Sequence, residues 1–260
     1  MADEILVTDD GPVRRIALNR PRARNAQNAA LLRALEAACL DTARTESVRV
    51  VILAGNGPSF SAGHDLKEAV VNPEYRANLE TAEGRLWQEA DLFVRPIEAL
   101  RDLRVPTIAR VQGHCIAASM MLIGAVDLVV AADDAVFASR VTRDMGAADV
   151  ELPALAWALG ERRAKQLLWT SAALSASEAQ ALGLVNWVVP EAELDAKVAS
   201  VVESLMEVPR EALALSKLSL RFMEDRRGRA DASAYHFMAH QLSHQTSDAK
   251  ALLDSRLRPQ

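Results

Sequence analysis

The sequence is poor in the features that mark secreted and membrane proteins. Only two of its 260 residues are cysteine, and Cys39 and Cys115 each lie within an apolar segment. Two such cysteines exclude a disulfide framework and favour reduced thiols in a core. No apolar run reaches the roughly 18–20 residues that a bilayer requires. The acidic start MADEILVTDD lacks the basic-then-apolar order of a signal peptide. We therefore expect a cytoplasmic protein with no membrane partner.

The chain also lacks an excess of basic residues. Lysine and arginine total 30 against 35 aspartates and glutamates, which gives a net charge of −5. This balance argues against nucleic acid as the main partner. Half of the residues are hydrophobic and a quarter are charged, as in soluble globular proteins. A chain of this length can form one large domain, or a core with a small appendage.

Strand-like and helix-like segments alternate over the first part of the chain. Two short β-type runs flank the turn residues Asp9, Asp10 and Gly11, which predicts a hairpin. Helical patterns follow from about Asn28 to Arg44 and from about Tyr75 to Leu103. Three further apolar runs, VRVVILAG, TIARV and DLVVAA, are typical of strands covered on both faces. The alternation predicts an α/β fold with βαβ crossovers and a largely parallel sheet.

After residue 150 the sequence becomes mostly helical. We predict helices over 152–159, 161–170 and 178–182, one short strand LVNWVV, and three helices to the end. Ser175 and Glu178 have the spacing of a capping box, so Ser175 is interpreted as a helix N-cap rather than a nucleophile. The predicted organisation is a β/α core over 1–190 and a helical region over 191–260.

Two loops leave predicted strands through glycine. The first contains Gly63, and the second runs from Gly113 to Ser119 and opens a helix. The first N–H groups of a helix have no intrahelical partner and lie at the positive end of its dipole. Each loop can therefore offer one backbone N–H to the same anionic oxygen, which is the geometry of an oxyanion hole. The alternative is that these glycines only permit tight turns and close helix packing.

Four motifs in order resemble the crotonase superfamily, the enoyl-CoA hydratases and isomerases. They lie at 18–26 (LNRPRARNA), 50–68 (VVILAGNGPSFSAGHDLKE), 106–138 (PTIARVQGHCIAASMMLIGAVDLVVAADDAVFA) and 174–190 (LSASEAQALGLVNWVVP). The resemblance implies a spiral of ββα units and a helical C-terminal trimerisation region. It also implies binding of an acyl-CoA thioester, a place in fatty acid metabolism, no metal or other cofactor, and a homotrimer or dimer of trimers.

Carried over residue by residue, the resemblance assigns the two oxyanion N–H groups to His64 and Ala118. The family has a glycine triplet around the second position, whereas this chain has Ala117, Ala118 and Ser119. An added methyl group leaves the N–H in place, so the oxyanion hole can survive the change.

The resemblance further assigns contacts with coenzyme A. Arg22 and Arg24 fall in the segment that contacts the nucleotide, and arginine suits phosphate through fork-shaped, charge-assisted hydrogen bonds. Ala62, Asp65 and Leu66, which surround His64, fall in the same binding region. Solvated surface arginines are the alternative interpretation of Arg22 and Arg24.

The two glutamates that the family's hydratases use are missing. Their positions hold Met121 and Val141. Neither a thioether nor an isopropyl group can transfer a proton, so two-glutamate hydration is not expected.

Three alternatives remain open for the chemistry. Asp149 or Glu151 can act as base or nucleophile, since related 4-chlorobenzoyl-CoA dehalogenases carry a nucleophilic aspartate near Asp149; Asp144 is a weaker candidate. Under this hypothesis Asp149→Asn abolishes turnover. The structural interpretation of Asp149 and Glu151 is that they cap the following helix and supply an acid to its first turn. Alternatively the chain is a non-catalytic acyl-CoA carrier with an adaptable methionine wall. In the third alternative, the side chain of His64 or His114 acts as the base. Taken together, these observations favour an enzyme.

His236, His240 and His244 recur every four residues and share one predicted helical face. Histidines at this spacing can bind zinc, but no acid accompanies them in an HExxH arrangement. We therefore expect a stripe of histidines that is packed or lies at an interface, and no metal.

Overall fold

The computed structural model describes residues 3–68 and 72–257, and its main sheet orders six strands as β1-β2-β3-β4-β6-β9. The hairpin of β1 and β2 is antiparallel, and every other pair in this sheet is parallel. The prediction of a largely parallel sheet is confirmed. The strands are β1 (Ile5–Asp10), β2 (Val13–Leu18), β3 (Val50–Gly55), β4 (Thr107–Val111), β5 (His114–Ile116), β6 (Leu128–Ala132), β7 (Val136–Ala138), β8 (Ala173–Ser175) and β9 (Trp187–Val189).

Helices cover both faces of the main sheet and form most of the C-terminal part. They are α1 (Ala29–Arg44), α2 (Pro73–Leu79), α3 (Ala82–Glu89), α4 (Arg95–Arg101), α5 (Ser119–Ala125), α6 (Val141–Met145), α7 (Ala154–Leu159), α8 (Glu161–Thr170), α9 (Ala176–Ala181), α10 (Leu194–Met206), α11 (Arg210–Arg226), α12 (Arg229–Ser243) and α13 (Ser247–Leu257). A π-helical turn spans Ala90–Val94, and 3-10 turns span Pro21–Ala23 and Glu191–Glu193.

The apolar character of the central strands follows from burial on two sides. On one face, Val50 of β3 and Ile108 of β4 pack with Val198 and Val201 of α10. On the other face, the larger core includes side chains of α1, α4 and α5, with Leu53 of β3 among them. A strand covered on both faces has no polar side to present, which explains the continuous apolar runs in the sequence.

The predicted helix from Tyr75 to Leu103 is divided into α2, α3, the π-helical turn and α4. Asn72 and Thr81 each accept hydrogen bonds from backbone N–H groups at a new helix start, so each acts as an N-cap. Pro96 has no N–H to donate to the preceding turn, and the wider turn lies directly before it. Helical periodicity alone did not indicate these interruptions.

Three strands of three residues form a second sheet that the sequence did not predict. β5, β7 and β8 pair in that order, and each is too short to show an alternating pattern. After β9 the described residues form four helices, α10 to α13, where three were predicted; one of the breaks between them is at Gly228, which has φ +92°. Over the described ranges, no helix has the length and apolar character needed to cross a bilayer.

The capping box before α9 generates a first prediction. The Glu178 N–H donates to Ser175 Oγ, and the Ser175 N–H donates to Glu178 Oε2 at 2.8 Å. We expect Ser175→Ala to lower the free energy of unfolding by about 1 kcal/mol, since this removes a helix cap. Chemical denaturation measures the change. An unchanged stability would contradict the capping role.

Candidate active site

Two loops that leave the main sheet are hydrogen-bonded to each other. The Ser61 N–H donates to the His114 carbonyl at 2.9 Å, and the Ile116 N–H donates to the Ser61 carbonyl at 3.0 Å. The first loop follows β3, whereas the second follows β4 and leads through β5 into α5. These bonds hold the segment around His64 against the start of α5.

Gly63 permits the closest approach between the two loops. Its φ is +87°, a left-handed conformation that favours glycine. A Cβ atom at this position would lie 2.9 Å from the Ile116 carbonyl oxygen and 3.1 Å from the Ala118 nitrogen. The close contact therefore requires a residue without a side chain.

The backbone N–H groups of His64 and Ala118 face no acceptor within residues 3–68 and 72–257, where neither donates a hydrogen bond. Both residues line a single cavity of about 240 Å³. Two free donors in one largely buried cavity can together bind an anionic oxygen. Ala117, between the loops, has φ +51°, so this chain adopts a left-handed backbone where the family has glycine.

The two positions of the family's glutamates are apolar in the structure as well as in the sequence. Val141, at the start of α6, lines the cavity, and Met121 in α5 is 1% exposed within the core. Neither side chain can exchange a proton. Any proton transfer in the cavity depends on other residues.

Glu151 supplies a carboxylate to this cavity. Its side chain is 3% exposed, and Oε1 lies 3.6 Å from His64 Nδ1 and 3.4 Å from His240 Nε2. Oε2 is buried and has no hydrogen-bond partner within the described part of the chain. A buried carboxylate oxygen without a partner is energetically costly unless a ligand or water uses it.

The sequence suggested Asp149 as a catalytic base or nucleophile, but its side chain does not line the cavity. Its Oδ1 accepts a hydrogen bond from Ser139 Oγ at 2.9 Å, and its side chain is absent from the described residues that line the cavity, where Glu151 is present. Burial raises the pKa of Asp149 to about 6. The geometry therefore favours Glu151 over Asp149 as the residue that meets a ligand.

The histidine stripe on α12 packs inward against the same segment. His240 Nδ1 donates to the Asp149 carbonyl at 2.8 Å, and His236 Nε2 donates to the Val150 carbonyl at 2.9 Å. His240 and His244 line the cavity, with their Nε2 atoms 3.1 Å apart. The prediction of a packed stripe is consistent with these contacts. No HExxH arrangement is present, as the sequence indicated, but Glu151 approaches His240 from a distant segment.

Glu89 at the end of α3 brings a second buried carboxyl group to the cavity. It is 5% exposed and forms an ion pair with Arg85, whose Nη1 lies 3.9 Å from Oε1. Burial and the neighbouring Glu151 carboxylate raise the pKa of Glu89 to about 8. The sequence did not indicate Glu89, since an acid in a charged helix is typical of a solvated face.

The electrostatics of the cluster separate Glu151 from Glu89. Burial lowers the pKa of His240, but the adjacent Glu151 carboxylate more than offsets burial and raises it. Burial would raise the pKa of Glu151, yet His64 and His240 together hold it well below its ordinary value. Burial lowers the pKa of His64, whose ring stacks on Phe93 with centroids 3.9 Å apart. Of these two buried carboxyl groups, Glu151 is therefore the one that remains ionised.

The remaining predicted site residues lie at or near the cavity. Ala62, Asp65 and Leu66 line it, and Asp65 Oδ2 also forms an ion pair with Arg20 Nη1 at 2.8 Å. Asp144 also lines the cavity. His114 does not line it within the described chain; its ring is exposed, and Nδ1 lies 3.3 Å from Ser59 Oγ.

Arg22 and Arg24 lie beside the first loop. Both are exposed, and neither forms an ion pair within residues 3–68 and 72–257. The Arg24 carbonyl accepts a hydrogen bond from the Ala62 N–H at 2.9 Å, which ties this basic segment to the cavity wall. An anionic group bound outside the cavity can therefore meet two free guanidinium groups.

Comparisons with known proteins agree with this architecture. The family model described as enoyl-CoA hydratase/isomerase matches residues 9–254. The chain is 38% identical to the putative enoyl-CoA hydratase EchA13 of Mycobacterium tuberculosis, over 91% of this chain and 78% of the relative. It is 34% identical to the mitochondrial enoyl-CoA hydratase domain-containing protein 3 of Mus musculus, over 79% of this chain and 66% of that protein.

Solved structures show the same fold. A crystal structure of a probable enoyl-CoA hydratase from Mycobacterium smegmatis superposes with a TM-score of 0.85 at 37% identity, covering 94% of each chain. A probable enoyl-CoA hydratase from Mycobacterium thermoresistibile gives a TM-score of 0.85 at 34% identity, covering 96% of this chain and 99% of that one.

The close contact at Gly63 generates a second prediction. We expect Gly63→Ala to lower the free energy of unfolding by about 2–4 kcal/mol, because left-handed strain and a backbone clash add together. Gly183→Ala is the matched control, since Gly183 has φ +83° and open space around its Cβ position. We expect the control to cost only about 1–2 kcal/mol. Equal losses in the two variants, measured by denaturation, would show that the clash is not real.

Proposed function

The chain belongs to the enoyl-CoA hydratase/isomerase family, and from this we propose that it catalyses proton transfer on an acyl-CoA thioester. The thioester carbonyl oxygen accepts hydrogen bonds from the N–H groups of His64 and Ala118, and Glu151 is the base. One observation carries the proposal: two unpartnered N–H groups and an unpartnered carboxylate oxygen belong to residues that line one cavity.

The two backbone donors would make the substrate more acidic. Removing a proton from the carbon next to a thioester carbonyl moves negative charge onto the carbonyl oxygen. Donors that are fixed before the reaction stabilise this oxygen, especially where little water enters. No metal ion or redox cofactor is required for this step, because charge moves only within the substrate and the base.

Glu151 is suited to receive that proton. Its buried carboxylate lines the cavity, and Oε2 has no hydrogen-bond partner in the described structure. A positioned general base typically contributes about 10²–10⁴-fold to the rate. Because Met121 and Val141 stand where the family's hydratases have glutamates, we favour isomerase-type proton movement over two-glutamate hydration.

Coenzyme A would extend from the cavity toward the first loop. The exposed guanidinium groups of Arg22 and Arg24 suit its phosphates, while Ala62 and Leu66 form part of the wall next to the thioester. We also propose a homotrimer or a dimer of trimers, supported by several large apolar side chains of α11 and α12 that are exposed in the single chain: Leu215, Leu218, Leu220, Phe222, Tyr235 and Leu242.

A non-catalytic acyl-CoA carrier is the second candidate function. It is favoured by one observation, the replacement of both family glutamates by apolar residues. The two functions differ in whether bound acyl-CoA exchanges hydrogen with solvent.

The proposal predicts different results for two neighbouring acidic residues. We expect Glu151→Gln to slow deuterium exchange at the carbon next to the thioester carbonyl by about 100-fold or more, because the base is lost. Acyl-CoA affinity should stay nearly unchanged, since the carbonyl is held by backbone donors. Exchange can be followed by mass spectrometry of butyryl-CoA in D₂O.

Asp149→Asn is the matched control, because the Asp149 side chain contacts Ser139 rather than the cavity. We expect its exchange rate to remain within a few-fold of the unmodified protein. Loss of exchange in Asp149→Asn but not in Glu151→Gln would reverse the assignment. Binding without exchange in the unmodified protein would favour the carrier.

A further inference from the structure

Three ligand-type side chains from distant segments meet in the wall of the cavity. Glu89 ends α3, Glu151 lies before α7, and His240 lies on α12. One oxygen or nitrogen atom of each lies within 4.8 Å of the others, and all three residues are buried. We refer to Glu89, Glu151 and His240 as the buried triad.

We propose that the buried triad binds one divalent transition-metal ion, with Zn²⁺ as the model ion. Imidazole and carboxylate ligands suit zinc and related ions. The proposal goes beyond acyl-CoA chemistry, and ion binding itself does not depend on the function proposed above.

The spacing of the triad matches a small coordination shell. Zinc bonds to histidine nitrogen and carboxylate oxygen are about 2.0–2.1 Å long, which places ligands of a tetrahedral site roughly 3.3–3.4 Å apart. His240 Nε2 and Glu151 Oε1 are 3.4 Å apart. The third ligand atom, on Glu89, lies within 4.8 Å of both, so a side-chain rotation brings it into the shell.

The orientation of the His240 ring also suits a metal ligand. Its Nδ1–H donates to the Asp149 carbonyl at 2.8 Å, which leaves Nε2 to face Glu151. Histidines that bind metals commonly donate their other ring N–H to a carbonyl or carboxylate, which fixes the tautomer. His244 Nε2 lies 3.1 Å from the same nitrogen, and this partly exposed ring must turn aside or join the shell when an ion binds.

Two buried carboxyl groups, neither of which is hydrogen-bonded to a lysine or arginine in the described chain, provide the driving force. Glu151 is 3% exposed and its Oε2 has no partner within residues 3–68 and 72–257. Arg85 approaches Glu89 only to 3.9 Å, beyond hydrogen-bond distance. Buried carboxylates are found paired or bound to metals because desolvating the charge is costly. A divalent ion would displace the proton of Glu89 and compensate the charge of both carboxylates.

Ion binding would also compete with proton transfer. A metal ion bound to Glu151 uses the carboxylate that acts as base in the proposed function, so this consequence rests on that proposal. We therefore expect Zn²⁺ to suppress deuterium exchange at the same concentrations at which it binds.

The test uses the full chain, made without a histidine tag and freed of metal with a chelator. Isothermal titration with ZnCl₂ should show one ion per chain. Glu89→Gln and Glu151→Gln keep the side-chain shape and should each weaken Zn²⁺ binding more than about 100-fold. Substituting a residue that only supports a metal ligand already costs about 10–100-fold in affinity. His114→Asn removes a histidine outside the cavity and should bind Zn²⁺ like the unmodified chain.

Co²⁺ gives a second measurement. The visible absorption of a four-coordinate Co²⁺ complex should appear with the unmodified chain and with His114→Asn, and be absent from both glutamine variants. Thermal unfolding of the metal-free variants checks that they fold. Absence of binding to the unmodified chain would overturn the proposal, and so would an affinity in Glu89→Gln or Glu151→Gln equal to that of the unmodified chain. Zinc binding without deuterium exchange would overturn only the proposed function, and exchange without zinc binding only the metal site.

Discussion

The contact between Gly63 and the backbone of residues 116–118 is the constraint on which the rest of the site depends. It sets two loops from different strands against each other with no side chain between them. The hydrogen bonds at Ser61 extend the same contact into a short strand-like pairing with Cys115. Because the main sheet fixes where both strands end, the N–H groups of His64 and Ala118 are placed by the fold and need no particular side chain.

The C-terminal helices complete the cavity that the sheet begins. His236 and His240 hold the backbone of residues 149 and 150 through their ring nitrogens, and Glu151 follows immediately in the chain. The position of its carboxylate therefore depends on α12 as much as on its own segment. A division into a core over 1–190 and a separate helical region over 191–260 does not describe this dependence, because the site uses residues of both parts.

Much of the fold follows from local sequence patterns. The helix predicted from Asn28 to Arg44 is present with Asn28 as its N-cap, and the apolar runs form the central strands. The site was predictable only in part. Its backbone donors were found through the family's motifs, whereas the carboxyl groups depend on contacts between distant segments. Asp149 and Glu151 are two residues apart, and only the tertiary structure distinguishes them. Glu89 left no local signal because its surroundings in the sequence are charged.

Backbone strain is concentrated around the same cavity. Of the five residues other than glycine that have positive φ in the described chain, Arg24 and Asn25 lie in the segment bonded to the first loop, Ala117 lies between the donors, and Asp149 precedes Glu151. Each such conformation costs about 1–3 kcal/mol and persists only where surrounding contacts enforce it. Asn25 shows such contacts, since its side-chain amide donates to the carbonyls of Asn56, Ser59 and Phe60. Strained residues therefore lie close in the chain to the backbone donors and to the Glu151 carboxylate. Their surrounding contacts hold the cavity in one shape at a cost in local stability. A site that acts on a ligand requires such a fixed shape.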